Sequence, residues 1–284
     1  MNSVTESAQL REVRGPSALG GGRRRFFDLL WLMAVTEFKR TYFGTVLGYL
    51  WSLVRPLMLF AVLLFVFTKV VKIGGETPNY PVLLLLGIVL FSFFQEATTN
   101  SVTSVVAQEG VVRKTQFPRL VIPLATVLTA FFNLVLNLVI VFAFILAWGI
   151  DPTWEWLLFP FGLAVIAVFT AAVSMMLSVL FVRFRDVAII WTVLAQVLFY
   201  MTPILYPVTI LQDKTLERLL MVNPLAPIIS EIQRWVIHDQ GAPSAAAIVG
   251  GKVYLLPAAA ILGIVCVLAV WLFGRDAPRI AERL

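Results

Sequence analysis

Apolar residues gather in six long blocks along this chain, at roughly 50–71, 80–104, 121–148, 156–182, 187–206 and 253–273. Each comes close to the ~20 predominantly apolar residues that carry an α-helix across a bilayer. The pattern predicts an all-α integral membrane protein with six transmembrane helices. The second block is uneven: residues 82–94 are almost wholly apolar, whereas 95–104 read QEATTNSVTS. Glu96 is the one ionisable residue clearly inside a block. A carboxylate in hydrocarbon is costly, which makes it a functional candidate by default. Its neighbours Gln95, Thr98, Thr99 and Asn100 support a plainer reading, satisfaction by water or by an adjacent helix.

Ahead of the first block lies FFDLLWLMAVTEFKRTYFG. Phe27, Leu30, Trp31, Ala34, Phe38 and Tyr42 recur at three- and four-residue intervals, the spacing of one helix face. Leu29, Leu32 and Met33 fall on the other face, and cations bracket the segment. This composition predicts an amphipathic helix lying in the membrane interface. A cytoplasmic helix packed on a partner is the alternative.

The connection 203–252 between the fifth and sixth blocks is long and not uniformly polar. Pro203 and Pro207 are expected to end or kink the fifth span. Leu216, Leu219 and Leu220 form a short apolar face, Asn223-Pro224 breaks the chain, and a second short helix is expected to run to Val236 or Ile237. Two short helices around an Asn-Pro turn predict an external re-entrant hairpin. Such backbone is tolerated at membrane depth only when buried in protein or lining a wet cavity. An external cap lying on the surface is the alternative.

Composition agrees. The chain has 284 residues, 60% of them hydrophobic and 13% charged, with a mean hydropathy of +0.91. Soluble domains run nearer 45–50% apolar and about 25% charged. Placing the N-terminus inside leaves only Lys69, Lys72, Lys214, Arg218, Arg234 and Lys252 of the 22 lysines and arginines outside, the bias expected of cytoplasmic loops. Both termini are then cytoplasmic. Residues 1–22 lack an apolar signal-peptide core and read as a disordered cytoplasmic tail ahead of a transmembrane domain over 23–284. Cys266 reads as a packing residue and His238 as a solvated loop histidine.

Several chemistries have no signature here. There is no G-x-x-x-x-G-K-S/T loop, no G-x-S-x-G, no H-E-x-x-H and no EF-hand loop. Asp213 and Glu217 are interleaved with Lys214 and Arg218, a pattern read as a solvated helix face. The loop RKTQFPR, Arg113 to Arg119, is cytoplasmic in this topology. Positive-inside bias accounts for its cations but not for Phe117-Pro118. The proline is expected to halt the helix leaving the second span, exposing an aromatic among charges, which suits docking of another protein.

The segments FKRTYFGTVLGYLWSLVRP (38–56), RKTQFPRLVIPL (113–124), VRFRDV (182–187), MTPILYP (201–207) and NPLAPII (223–229) occur in this order. Over about Trp31 to Phe273 the chain resembles the ABC-2 type permeases that export polysaccharides, the O-antigen and teichoic-acid exporters. The resemblance implies a homodimer with two nucleotide-binding ATPase subunits. ATP and Mg would sit on the partner, with no cofactor bound by this chain. It implies an interface helix at about 26–43 and an ATPase-coupling loop over 109–119 with Glu109, Arg113, Lys114, Phe117, Pro118 and Arg119. A second cytoplasmic contact would use Arg183, Arg185 and Asp186. External re-entrant helices are implied at about 208–238, with Pro203, Tyr206, Pro207, Asn223 and Pro224 shaping the region.

The function so implied is that of a multi-pass permease subunit in the bacterial cytoplasmic (inner) membrane. It would move a lipid-linked polysaccharide of O-antigen, galactan or teichoic-acid type outward among membrane lipids, with no nucleic acid involved. Arg23, Arg24, Arg25, Lys39, Arg40 and Arg55 are candidate contacts to the substrate's diphosphate, since Lys and Arg bind phosphate well. A small-lipid or drug exporter is the nearest alternative. A membrane-embedded glycosyltransferase lacks a visible carboxylate cluster. A secondary transporter would need paired broken spans, and only one broken region is legible.

Overall fold

The computed structural model describes residues 22–42, 48, 50–72, 77–110, 118–208, 211, 213–237 and 243–276. Among them every regular element is helical. In chain order these are α1 (Gly22–Tyr42), α2 (Leu50–Phe65, continued by a π turn Val66–Val70) and α3 (Tyr80–Ala107). Next come α4 (Val121–Ala147), α5 (Phe159–Arg183, entered through a 3-10 turn Trp154–Leu158) and α6 (Val187–Met201). Three short helices follow, α7 (Lys214–Leu220), α8 (Leu225–Ile237) and α9 (Ala245–Val249), then α10 (Leu256–Asp276) after a 3-10 turn Lys252–Leu255.

Five stretches are long and apolar enough to cross a membrane: Leu50–Val70, Tyr80–Ala107, Val121–Ala147, Trp154–Arg183 and Lys252–Asp276. They make the chain a multi-pass membrane protein. The expected span at 187–206 is shorter than its apolar block. Its helix is 15 residues, ending at Met201, which at 1.5 Å per residue gives roughly 22 Å against a ~30 Å hydrocarbon core. The cause is local. Pro203 bars the helical region to the residue before it, and Thr202 is extended (φ −80°, ψ 130°).

α3 is the axis of the fold. It packs most extensively on α4 and α5, and also on α2, α6 and α8. Three of its phenylalanines each meet rings from neighbouring helices. Phe91 lies 5.2 Å from Phe199 of α6, Phe93 lies 6.0 Å from Phe131 of α4, and Phe94 stacks at 5.8 Å on Phe169 of α5. α5 carries Thr170, Ser174 and Ser178 at four-residue spacing, all fully buried, small residues of the kind that let helices approach closely in membranes. α2 and α10 are peripheral. Met58, Val62 and Phe65 on α2, and Ile264, Val267 and Trp271 on α10, recur at helical spacing and are exposed.

α1 crosses α4. Ala34 is fully buried, its carbonyl accepts from Thr129 Oγ1 (3.2 Å), and Trp31 and Phe38 both meet Phe132 edge-on. The expected apolar face packs in part: Leu30, Ala34, Phe38 and Tyr42 are at least half-buried and Leu32 opposite is exposed. Phe27 and Trp31 remain largely exposed, whereas Met33, assigned to the opposite face, packs beside a cluster that includes Ile122 and Phe273. Pro118 does not end α3, which stops at Ala107. It opens the turn into α4, its carbonyl accepting from Val121 N at 3.0 Å.

α8 is wedged against α3 and α5. Gln233 Nε2 donates to Leu83 O (2.8 Å), and Trp156 Nε1 donates to Val236 O (3.1 Å). Gly162 and Gly87 make this approach possible. A Cβ on Gly162 would lie 2.5 Å from Ile232 Cγ1, and one on Gly87 would lie 2.9 Å from Ile204 Cγ2. The turn at Asn223-Pro224 falls where the sequence places it. Asn223 Oδ1 accepts from Leu225 N (3.2 Å), and its Nδ2 donates to Thr202 Oγ1 (2.9 Å).

Two expectations for α7 are met only in part. Leu220 is buried but Leu216 and Leu219 are exposed, and Asp213 and Lys214 are exposed while Glu217 is packed. Glu217 is only 5% exposed and pairs with Lys214 at 3.0 Å. Lys214 Nζ and Arg218 Nε donate to the carbonyls of Ile248 (3.3 Å) and Val249 (3.1 Å) at the end of α9, and Arg218 lies 3.6 Å over the Tyr254 ring. A helix end leaves its last carbonyls without partners inside the helix, so cations facing α9 gain hydrogen bonds that water would otherwise supply.

The contact at Gly162 generates a test. Gly162→Ala is expected to cost about 1–3 kcal/mol through overpacking, read as a lower melting temperature of the purified protein in detergent. Combination with Ile232→Ala should cost less than the two single changes added. Strict additivity would mean that the two residues do not share a contact.

Candidate functional site: a polar cleft on α3

The C-terminal half of α3 presents Gln95, Glu96, Thr99 and Asn100, positions that share one helix face, to two adjoining clefts. The first, about 620 Å³, lies between α1, α2, α3 and α4. The second, about 780 Å³, is bounded by α1, α3, α4 and, through Ala188 and Thr192, α6. Thr41, Glu96, Thr99, Asn100 and Asn133 belong to both, so the two spaces form one polar groove along α3.

A hydrogen-bonded chain crosses the groove. Tyr42 OH donates to Asn133 Oδ1 (3.0 Å), and Asn133 Nδ2 donates to Glu96 Oε1. Asn137, one turn beyond Asn133, donates to Asn133 O (2.8 Å) and to Ser52 O on α2 (3.2 Å). Burial pushes the Tyr42 phenol above its ordinary range, and the negative charge of Glu96 adds to the effect. The phenol therefore stays protonated at neutral pH and acts as the donor. The network orients the Glu96 carboxylate, and Trp51 and Arg55 of α2 line the same cleft. Among the described residues no group of three His, Cys, Asp or Glu side chains is placed to hold a metal ion.

The sequence-derived site residues separate into several places. Arg40 and Arg55 line the groove. Arg24, Arg25 and Lys39 are exposed along α1. Arg23 begins that helix, and its side chain lies outside the described residues. Of the expected coupling loop, Arg113, Lys114 and Phe117 also lie outside them. Glu109 is half-buried just beyond α3, Pro118 is exposed and Arg119 half-buried at the start of α4. Arg183, Arg185 and Asp186 are exposed together between α5 and α6. Arg183 lies 5.2 Å over Phe184, and Arg185 lies 5.1 Å over Phe181. Pro203, Tyr206 and Pro207 line a separate cavity of about 40 Å³ with Tyr80 and Gln233.

Sequence reasoning found Glu96 and its polar neighbours but missed Tyr42, Asn133 and Asn137 as members of one site. The available signal was FFNLVLN, two amides four residues apart inside an apolar block. Such a pair shares a helix face, and a buried amide needs a partner.

Membrane-length helices with a polar groove between them define a multi-pass membrane protein. The ABC-2 type transporter family model matches residues 28–234, and the chain belongs to that family. It is similar to an O-antigen export system permease protein, RfbA, of Klebsiella pneumoniae. The two are 33% identical over 207 residues, which cover 72% of this chain and 78% of the relative. A protein of the same name from Myxococcus xanthus is 29% identical over 222 residues, covering 78% of this chain and 84% of the relative.

Asn133 is both acceptor and donor in the network, which orders the expected losses. Asn133→Leu leaves Tyr42 and Glu96 without these partners and is expected to cost about 1–3 kcal/mol. Tyr42→Phe removes one donor and should cost about 0.5–1.5 kcal/mol. Thermal denaturation in detergent reads both. A Tyr42→Phe loss larger than that of Asn133→Leu would show that Asn133 does not link the two side chains.

Proposed function

We propose that this chain is the transmembrane permease subunit of an ATP-driven exporter. Its substrate is a lipid-linked polysaccharide of O-antigen, galactan or teichoic-acid type, moved from the cytoplasmic side outward. The observation that carries this reading is the polar groove within the spanning helices of an ABC-2 family member whose relatives are named O-antigen export permeases. The chain acts as a homodimer in the bacterial cytoplasmic membrane with two copies of a separate ATPase, which binds ATP and Mg. It has no catalytic centre or cofactor of its own.

In this reading α6 is the fifth of six spans, short because the chain turns at Pro203, and both termini are cytoplasmic. The placement of Lys and Arg supports that orientation. α7 and α8 form the external re-entrant region. α8 reaches the level of Gly87, the eighth residue of α3, roughly 10 Å along that helix at 1.5 Å per residue. Of the proposed diphosphate contacts, Arg40 and Arg55 line the groove, while Arg23, Arg24, Arg25 and Lys39 lie along the interface helix. Residues 109–119 dock the ATPase, and Arg183, Arg185 and Asp186 form its second contact. A small-lipid exporter remains the rival within the family. Recovery of a glycan-linked lipid with the purified protein separates the two.

The test is co-purification of the tagged chain from its native membrane, with ATPase activity assayed. A nucleotide-binding subunit should accompany the wild type. Phe117→Ala with Arg119→Ala should weaken that association by about 2 kcal/mol or more, as for aromatic and arginine anchors of interfaces, roughly thirtyfold in affinity. A wild-type chain recovered alone, without ATPase activity, across several mild detergents would refute the reading.

A further inference from the structure

The groove is polar without being an anion trap. Among its described residues the charged side chains are Glu37, Arg40, Arg55 and Glu96, two of each sign. Two arginines offset by two glutamates give the groove no net positive charge, so phosphate binding accounts for at most part of it. What the groove offers in excess is neutral hydrogen-bonding capacity.

That capacity is free. The side chains of Gln95 and Asn100 line the cleft and have no hydrogen-bond partner among the described residues. Glu96 uses Oε1 to accept from Asn133, which leaves Oε2 without a protein partner there. Asn and Gln each present a carbonyl acceptor beside two N–H donors, and a carboxylate presents two acceptors. Such groups match neighbouring hydroxyls, each of which both donates and accepts. Trp51, on α2, is 48% exposed and lines the same cleft. Its ring supplies an apolar face with a polar edge, the counterpart of the C–H face of a pyranose. The carboxylate is also pre-oriented, because Tyr42 holds Asn133 and Asn133 holds Glu96. Fixed polar groups of this kind set ligand orientation and specificity.

We propose that Gln95, Glu96 and Asn100, with Trp51 on the opposing helix, bind neutral sugar residues of the exported glycan. This places a sugar-reading site in the groove beside Arg40 and Arg55, the proposed contacts to the diphosphate. The assignment rests on the exporter reading and adds the substrate feature that the groove recognises. Specificity among glycans then lies in these four side chains. Arg40 and Arg55 contribute to the lipid-linked end.

The experiment uses the full chain in lipid nanodiscs and two probes, each titrated by calorimetry. One is the host cell's own surface polysaccharide, freed of lipid by mild acid. The other is polyprenyl diphosphate without sugar. Wild type should bind both. Asn100→Ala, Gln95→Ala and Trp51→Ala should each weaken glycan binding about tenfold, the loss of one good hydrogen-bonded or stacked contact, and leave polyprenyl diphosphate binding unchanged. Arg55→Gln should do the reverse. Asn100 is exposed, so its truncation tests recognition without threatening the fold, and an unchanged melting temperature checks this. Glycan binding that is equal in all three variants overturns the assignment. Binding of polyprenyl diphosphate alone also overturns it, while the exporter reading stands. Binding of neither probe removes both.

Discussion

A carboxylate carried into an apolar slab must find a partner on another helix, and much of this fold is arranged around that requirement. Glu96 sits on α3, the most enclosed of the spanning helices. Its partner, Asn133, comes from α4, and Asn133 is held in turn by Tyr42 of α1. Asn137 extends the network to a carbonyl of α2, and Thr129 ties α4 to a carbonyl of α1. Apolar packing alone permits many rotations of one oily helix against another, because lipid competes equally well for apolar surface. The hydrogen bonds remove that freedom. They place α1 and α2 around α3 at one register, and the space left between these helices is the groove.

The opposite end of the bundle meets the same requirement with backbone rather than side-chain acceptors. Broken helices leave carbonyls without intrahelical partners. Each break here has a side-chain donor aimed at it. Tyr80 OH donates to Leu205 O after α6 (2.6 Å), Trp156 reaches Val236 O in the last turn of α8, and Lys214 and Arg218 reach the end of α9. Glu231 holds the other end of α9 by accepting from Ala245 N (2.8 Å). With the close approaches at Gly87 and Gly162, this gives the described residues between 202 and 255 a defined shape.

The sequence was most legible where physics is least specific. Long apolar blocks must be spanning helices, and five of the six blocks have helices of membrane length. The block at 187–206 fell short at a proline that the sequence displays, and the Asn-Pro turn formed where expected. Reading was poorer where a helix has neighbours on several sides. The apolar face of α1 was misread at Met33, which has a protein surface to pack on, and at Phe27, which is exposed. On α7, Glu217 packs where a solvated face was expected, beside Lys214 and Arg218 that reach orphan carbonyls no periodicity reveals. In the site, Glu96 was conspicuous, but its partners were neutral residues on two other elements. Their juxtaposition depends on helix rotation, which a single sequence does not encode in any simple pattern.

The cations show why composition and site must be read separately. Net charge is +6, and positive-inside bias asks only that basic residues stay on one side of the membrane. Arg24, Arg25, Lys39, Arg183 and Arg185 satisfy that demand as exposed groups at helix ends or along α1, and Arg183 and Arg185 rest on neighbouring phenylalanines. Arg40 and Arg55 are exposed as well, but they line the groove, where Glu37 and Glu96 offset them. A charge-balanced groove can stay hydrated, presenting amides and one oriented carboxylate to a ligand rich in hydroxyls. Segregation of basic residues fixes orientation at the surface, and neutrality inside leaves the groove free for uncharged polar chemistry.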